Sequence, residues 1–274
     1  MASLPDPDRD PMQDPDPADA EAGENGHARP PLGGLRRRGI YLLPNLFTTG
    51  VLCCGFYSIV QAMNGLYETA AIAVWIAMVL DGMDGRVARW TQTQSDFGAQ
   101  YDSIADMVAF GAAPGLIAYV WVLKDLGTLG WIGAFLYCAA AGIRLARFNV
   151  NLGVVDSRYF QGLPSPSGAA VLTGLVWVLT DFGFQPNDWL AILTWVVAVF
   201  AGITMVSNVP FYSFKEVNWK RRVPLWVILI AVVGFAVIAS RPSLVLWGLF
   251  MAYAISGYIV WATGKRMTPV LPEE

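Results

Sequence analysis

From about residue 40 onward, apolar residues run in blocks of roughly 20, separated by short polar or Pro/Gly-bearing breaks. A helix needs about 20 residues to cross the hydrocarbon of a bilayer. The pattern predicts eight spans, near 41–63, 69–90, 96–122, 129–150, 167–184, 188–210, 223–240 and 242–263. The expected fold is all-α, a polytopic membrane protein with a membrane domain over 39–264. Residues 1–38 have almost no apolar periodicity and are rich in Pro, Asp, Ala and Gly, which predicts a disordered acidic tail. That tail lacks the basic start and early apolar core of a secretory signal and is expected to be retained. Residues 265–274 form a second, short tail.

Composition sharpens this picture. Only 14% of the 274 residues are charged against 55% hydrophobic, and 11 Trp and 10 Tyr suit the two membrane interfaces. Eight spans with the tails inside put all but Lys124 and Arg241 of the 18 Lys and Arg residues on one side. That asymmetry predicts cytoplasmic termini in a bacterial-type inner membrane, with no nucleic-acid partner. Cys53, Cys54 and Cys138 all lie in apolar runs and read as small buried residues. The single histidine, His27, lies in the tail, which excludes a histidine base or a His-rich zinc site.

Against this apolar background, the stretch DGMDGRVARWTQTQSDFGAQYDSIAD places Asp81, Asp84, Asp102 and Asp106 at the end of span two and the start of span three. A carboxylate at the centre of a spanning helix costs about 2.5–3.5 kcal/mol on insertion scales. Asp81, Asp84, Gly85 and Ala88 follow i, i+3, i+4, i+7, and Gly98, Asp102 and Asp106 follow i, i+4, i+8, so each set shares one helix face. Two antiparallel helices joined by a short turn around Gln92–Ser95 would face these stripes toward each other. Asp81 would then sit about 13 Å below the helix end at Trp90, just beneath the cytoplasmic interface. The plainer reading, helix caps or interfacial pairs with Arg86 and Arg89, suits a single aspartate better than four on two stripes. Oxygen-only ligands point to hard cations, Mg²⁺ or Mn²⁺, and four carboxylates can hold two such ions. The small residues on the same faces leave room for a bulky ligand, and Arg86 and Arg89 carry charge suited to phosphate.

The spacing D-x-x-D-G-x-x-A-R-x(8)-G-x-x-x-D-x-x-x-D resembles the signature of the CDP-alcohol phosphatidyltransferases, complete at Asp81, Asp84, Gly85, Ala88, Arg89, Gly98, Asp102 and Asp106. The resemblance implies one metal on Asp81, Asp84 and Asp102 and a second on Asp81, Asp102 and Asp106. It further implies that Asp106 is the catalytic base for the attacking alcohol and that Gly85, Ala88, Arg89 and Gly98 line the CDP site. A hydroxyl would attack the lipid-bearing phosphorus of CDP-diacylglycerol and CMP would leave. A lipid donor also accounts for a pocket at the membrane, since its acyl tails can stay in the bilayer.

The signature does not name the acceptor alcohol. Span four ends in Arg144-Leu-Ala-Arg147-Phe-Asn149, the next loop carries Phe160-Gln-Gly-Leu-Pro-Ser-Pro166, and span six runs into Met205-Val-Ser-Asn-Val-Pro-Phe-Tyr-Ser-Phe-Lys215. Together with Pro44-Asn45-Leu46-Phe47-Thr48, these stretches look like the phosphatidylserine synthase branch of the family, which implies L-serine as acceptor, with Asn45 and Thr48 facing the nucleotide. Arg144, Arg147 and Lys215 are the candidate acceptor or phosphate ligands, although positive-inside anchoring and a simple turn would also account for these stretches. Choline is the runner-up and would need an aromatic cage with no arginine nearby; glycerol 3-phosphate and inositol phosphate are further alternatives. A divalent-cation transporter should show repeated, broken helices, and only one acidic cluster is present. Gly111-x-x-x-Gly115 permits close helix packing and a homodimer is expected from it, although the same spacing also serves packing inside one subunit.

Overall fold

The structure, a computed structural model, describes residues 33–91, 95–150, 159–212 and 225–263. The predicted tails, apart from residues 33–38, lie outside the described residues. The described residues from 40 onward form one compact unit. Helices α1 (Gly33–Met63), α2 (Tyr67–Thr91), α3 (Asp96–Asp106), α4 (Ala113–Trp121), α5 (Thr128–Val150), α6 (Ser165–Asp181), α7 (Asp188–Val206), α8 (Leu225–Ser240) and α9 (Pro242–Ala262) follow one another. With α3 and α4 taken together, eight helical segments among the described residues lie where the apolar blocks predict them.

Five are long and apolar enough to cross a membrane: Asn45–Met63, Asp96–Trp121, Thr128–Val150, Asp188–Val206 and Pro242–Ala262. Of the others, α2 carries the acidic stretch, and α6 and α8 are shorter, at 17 and 16 residues. Trp226, Leu229, Phe235 and other apolar side chains of α8 are more than half exposed, as expected for a surface solvated by lipid. The chain is an all-α integral membrane protein.

Local chemistry sets the helix ends. Ser95 caps α3, its hydroxyl accepting from the Gly98 N–H at 3.0 Å, and Asn187 caps α7 by accepting from the Leu190 N–H at 3.0 Å. Pro166 and Pro242 sit in the first turns of α6 and α9, where a missing N–H costs nothing.

The expected third span is not a single regular helix. Between α3 and α4 the backbone widens into a π-helical turn, Met107–Ala112, in which the Ala113 N–H reaches back to the Val108 carbonyl. Pro114 accounts for the break. It has no N–H to offer the carbonyl four residues earlier, that of Phe110, and its ring crowds that carbonyl. The Tyr137 hydroxyl of α5 donates to the Phe110 carbonyl at 2.9 Å instead.

The core lies where α4, α5, α6 and α7 meet, around the fully buried Phe110, Ile117, Trp121, Tyr137, Leu172 and Met205. Small residues bring the backbones close. A Cβ on Gly115 would lie 3.0 Å from the Ala134 carbonyl, and one on Gly111 would meet Met107 and Ala141. The Gly111/Gly115 pair is therefore used against α5 and the chain's own Met107, and the expected homodimer takes no support from it.

One short ladder was not foreseen. Strand β1 (Tyr159–Gln161) pairs antiparallel with β2 (Pro210–Tyr212), Phe160 opposite Phe211. It joins the Phe160–Pro166 loop to the end of α7, two stretches the sequence singles out separately. The join is fixed at Gly162, whose φ is +76° and whose N–H bonds to the Val209 carbonyl at 3.0 Å. A Cβ there would lie 2.2 Å from the Met205 carbonyl oxygen. Gly162→Ala should therefore lower stability by about 2 kcal/mol or more. Thermal unfolding of the purified protein in detergent checks this; an unchanged midpoint would contradict it.

Candidate active site

The acidic stripes meet. Helix α2 presents Asp81 and Asp84, and α3 presents Asp102 and Asp106, with Asp106 the last residue before the π-helical turn. Carboxylate oxygens of Asp81, Asp102 and Asp106 all lie within 4.8 Å of one another. Asp84 stands slightly apart. It is buried, accepts a hydrogen bond from Thr48 Oγ1 at 3.2 Å, and remains close enough to interact with the charges of Asp81 and Asp102.

One oxygen on Asp102 and one on Asp106 are buried with no hydrogen-bond partner. A buried polar atom left unsatisfied costs on the order of 1–3 kcal/mol, more when charged. Three carboxylates pressed together, two with unpaired buried oxygens and none with a sulfur or nitrogen neighbour in the cluster, fit a hard divalent cation.

Helix α1 closes one side. Besides the Thr48–Asp84 bond, Thr49 and Tyr101 share a hydrogen bond of 3.0 Å, and a Cβ on Gly98 would lie 3.6 Å from Asn45 Oδ1. The structure therefore brings Asn45 and Gly98 together at the α1–α3 contact, while Thr48 faces Asp84 on α2. Gly85 behaves differently: it is exposed, and a Cβ there would meet nothing within 4 Å, so its missing side chain leaves open space beside the cluster. Ala88 and Arg89 lie on α2, but their side chains fall outside the described residues, as does Lys215.

The two arginines of α5 part company. Arg144 donates to the buried Ser165 Oγ at 2.7 Å, lies over the Phe148 ring, and is close enough to Asp81 and Asp106 to offset their charge. Arg147 donates to Gln161 Oε1 at 2.7 Å, to Asn208 Oδ1 at 2.5 Å and to the Val206 carbonyl at 3.3 Å. It ties α5 to β1 and to the end of α7 with the residues that lead from it into β2.

Several neighbours were not singled out in their own right. Asn149 donates to Ser103 Oγ at 2.9 Å, fixing α5 against the α3 turn between Asp102 and Asp106. Ser165, Gln161 and Asn208 lie in stretches the sequence highlights, yet only the folded chain shows that they serve the arginines. Tyr253 of α9 also lies near Arg144. A polar residue in an otherwise apolar segment is the signal that could have found them.

Fold and site together define a polytopic membrane protein with a carboxylate cluster able to hold divalent metal between two neighbouring helices. Residues 41–207 match the profile of the CDP-alcohol phosphatidyltransferases, and the chain belongs to that family of enzymes. Enzymes of this family generally depend on divalent cations. Among its relatives, the CDP-diacylglycerol–serine O-phosphatidyltransferase of Helicobacter pylori is 36% identical over 81% of this chain and 92% of its own length. The proteins of the same name from Mycobacterium tuberculosis and Methanocaldococcus jannaschii are 31% and 32% identical, over 79% and 76% of this chain and 78% and 91% of theirs.

Proposed function

We propose that the chain transfers the phosphatidyl group of CDP-diacylglycerol to L-serine, giving phosphatidylserine and CMP. The observation that carries the choice of serine is Arg144. A guanidinium beside the carboxylate cluster, bonded to Ser165, offers the acceptor's carboxylate a cationic partner that choline would not need. The relatives' names support the same reading.

Asp81, Asp84, Asp102 and Asp106 would hold two ions, Mg²⁺ or Mn²⁺. Such ions, when bound, neutralise the diphosphate and the charge developing on the departing CMP oxygen. Asp106 takes the proton of the serine hydroxyl as its oxygen attacks the phosphorus bearing the diacylglycerol, and the bond from that phosphorus to CMP breaks. Thr48 holds Asp84 in place through its hydrogen bond. Gly85 leaves the space in which the nucleotide approaches α2, and Asn45, Ala88, Arg89 and Gly98 complete the CDP side. Arg144 orients serine, while Arg147 keeps the adjoining ladder in register; Lys215 is a further candidate for the acceptor side.

All eight helical segments would cross the inner membrane, with both termini and the site facing the cytoplasm, where serine and the nucleotide are water-soluble. Purified enzyme given CDP-diacylglycerol and Mg²⁺ or Mn²⁺ should release CMP with serine, and at least about tenfold more slowly with glycerol 3-phosphate, inositol phosphate or choline. Faster turnover with any of those three would overturn the assignment of the acceptor.

A further inference from the structure

The π-helical turn that follows Asp106 has no part in the reaction as written, yet everything around it is built to keep it. Three features converge there. Pro114 denies the Phe110 carbonyl its α-helical partner. The buried Tyr137 hydroxyl replaces that partner at 2.9 Å. Gly55 of α1 lies so close that a Cβ would come within 2.7 Å of Ala109 Cα, leaving the turn no space on that side.

The geometric consequence falls on the aspartates. One extra residue in a turn offsets the two halves of a helix by about 100°. In an unbroken helix, Asp102, Asp106, Ala113 and Ile117 would share a single face. The wide turn uncouples them: α4 buries Ala113, Ile117 and Trp121 in the core, while Asp102 and Asp106 turn to meet Asp81.

We propose that Tyr137 and Pro114 are positioning residues that hold the π-helical turn and so aim Asp106, and through it Asp102, into the metal cluster. This rests on the metal-binding role proposed for the aspartates. Neither residue touches the reacting atoms. Tyr137 acts through the Phe110 carbonyl, and Pro114 acts by forbidding the regular helix that would rotate the carboxylates away.

The test is Mn²⁺ binding to the purified full-length protein in detergent, followed by the electron paramagnetic resonance signal of free Mn²⁺, beside steady-state kinetics with serine. Tyr137→Phe and Pro114→Ala should each weaken Mn²⁺ binding about tenfold, the range expected when a residue that orients a metal ligand is lost. They should lower kcat while leaving KM for CDP-diacylglycerol within about twofold. Pro114→Ala is the sharper variant, because alanine favours helix and a purely structural role would leave the protein more stable with unchanged metal binding. It decides the matter alone if Tyr137→Phe fails to fold. Normal Mn²⁺ binding in the folded variants overturns the inference. Asp102→Asn, measured in parallel, separates the two possible failures. If it loses Mn²⁺ while the Tyr137 and Pro114 variants keep it, only the positioning role is wrong; if it keeps Mn²⁺, the metal reading and this inference fall together.

Discussion

Asp102→Asn and Asp106→Asn should each lower CMP release from CDP-diacylglycerol by about 10³-fold or more, with the protein still folded in the membrane. The expectation follows from what each side chain does in the cluster. Both carry a buried oxygen with no donor, and both lie within 4.8 Å of an Asp81 oxygen. An amide is nearly the same size as a carboxylate but brings no charge, so the ligand field for a hard cation is lost while the packing is kept. At Asp106 the base for the serine proton goes as well, a role usually worth about 10²–10⁴-fold. Stability should hold or rise, because the substitution removes like charge from a confined site. Activity in purified protein, checked against a thermal melt, reads both quantities. Substantial turnover in both variants would leave the carboxylates without a part in the chemistry.

The second large effect is expected at Arg144. Removing a hydrogen bond to a charged group typically costs about 1.5–3 kcal/mol, so Arg144→Ala should reduce kcat/KM for serine by roughly 10- to 150-fold, with KM for CDP-diacylglycerol little changed. The metal dependence supplies a further sign. Arg144 offsets the charge of Asp81 and Asp106, so its loss should leave Mn²⁺ binding unweakened or tighter, unlike loss of an aspartate. Kinetics at varied serine, varied CDP-diacylglycerol and varied metal separate these effects. Equal loss for both substrates would place Arg144 on the donor's phosphates. Arg147, three of whose donors are taken by Gln161, Asn208 and the Val206 carbonyl, should act on stability and on the ladder before it acts on serine.

The aspartate cluster was legible because residues three and four apart share a helix face whatever surrounds the helix. Asp81, Asp102 and Asp106 therefore converge as their spacing predicts, and the membrane class follows from block length alone. What the spacing could not reveal depends on contacts between distant segments. One oxygen of Asp84 accepts from Thr48, 36 residues earlier, a contact that no spacing within α2 and α3 announces. Arg144 and Arg147 look equivalent at i, i+3, and only the ladder between 159–161 and 210–212 commits one to scaffolding and leaves the other beside the carboxylates. Gly111-x-x-x-Gly115 suits a partner chain or a neighbouring helix equally well, and α5 decides for the latter. Pro114 does announce a break within a predicted span. Whether the helix kinks, ends or widens there depends on Tyr137 and Gly55, neither of which is near it in the sequence.

The catalytic reading turns on hard cations lying between α2 and α3. A crystal of the protein grown with Mn²⁺ and CDP-diacylglycerol, measured for anomalous scattering, tests that most directly. The account predicts two anomalous peaks, each within ligand distance of about 2.0–2.6 Å of carboxylate oxygens from among Asp81, Asp84, Asp102 and Asp106. Mn²⁺ found elsewhere, or these four side chains hydrogen-bonded only to water and protein, would contradict it.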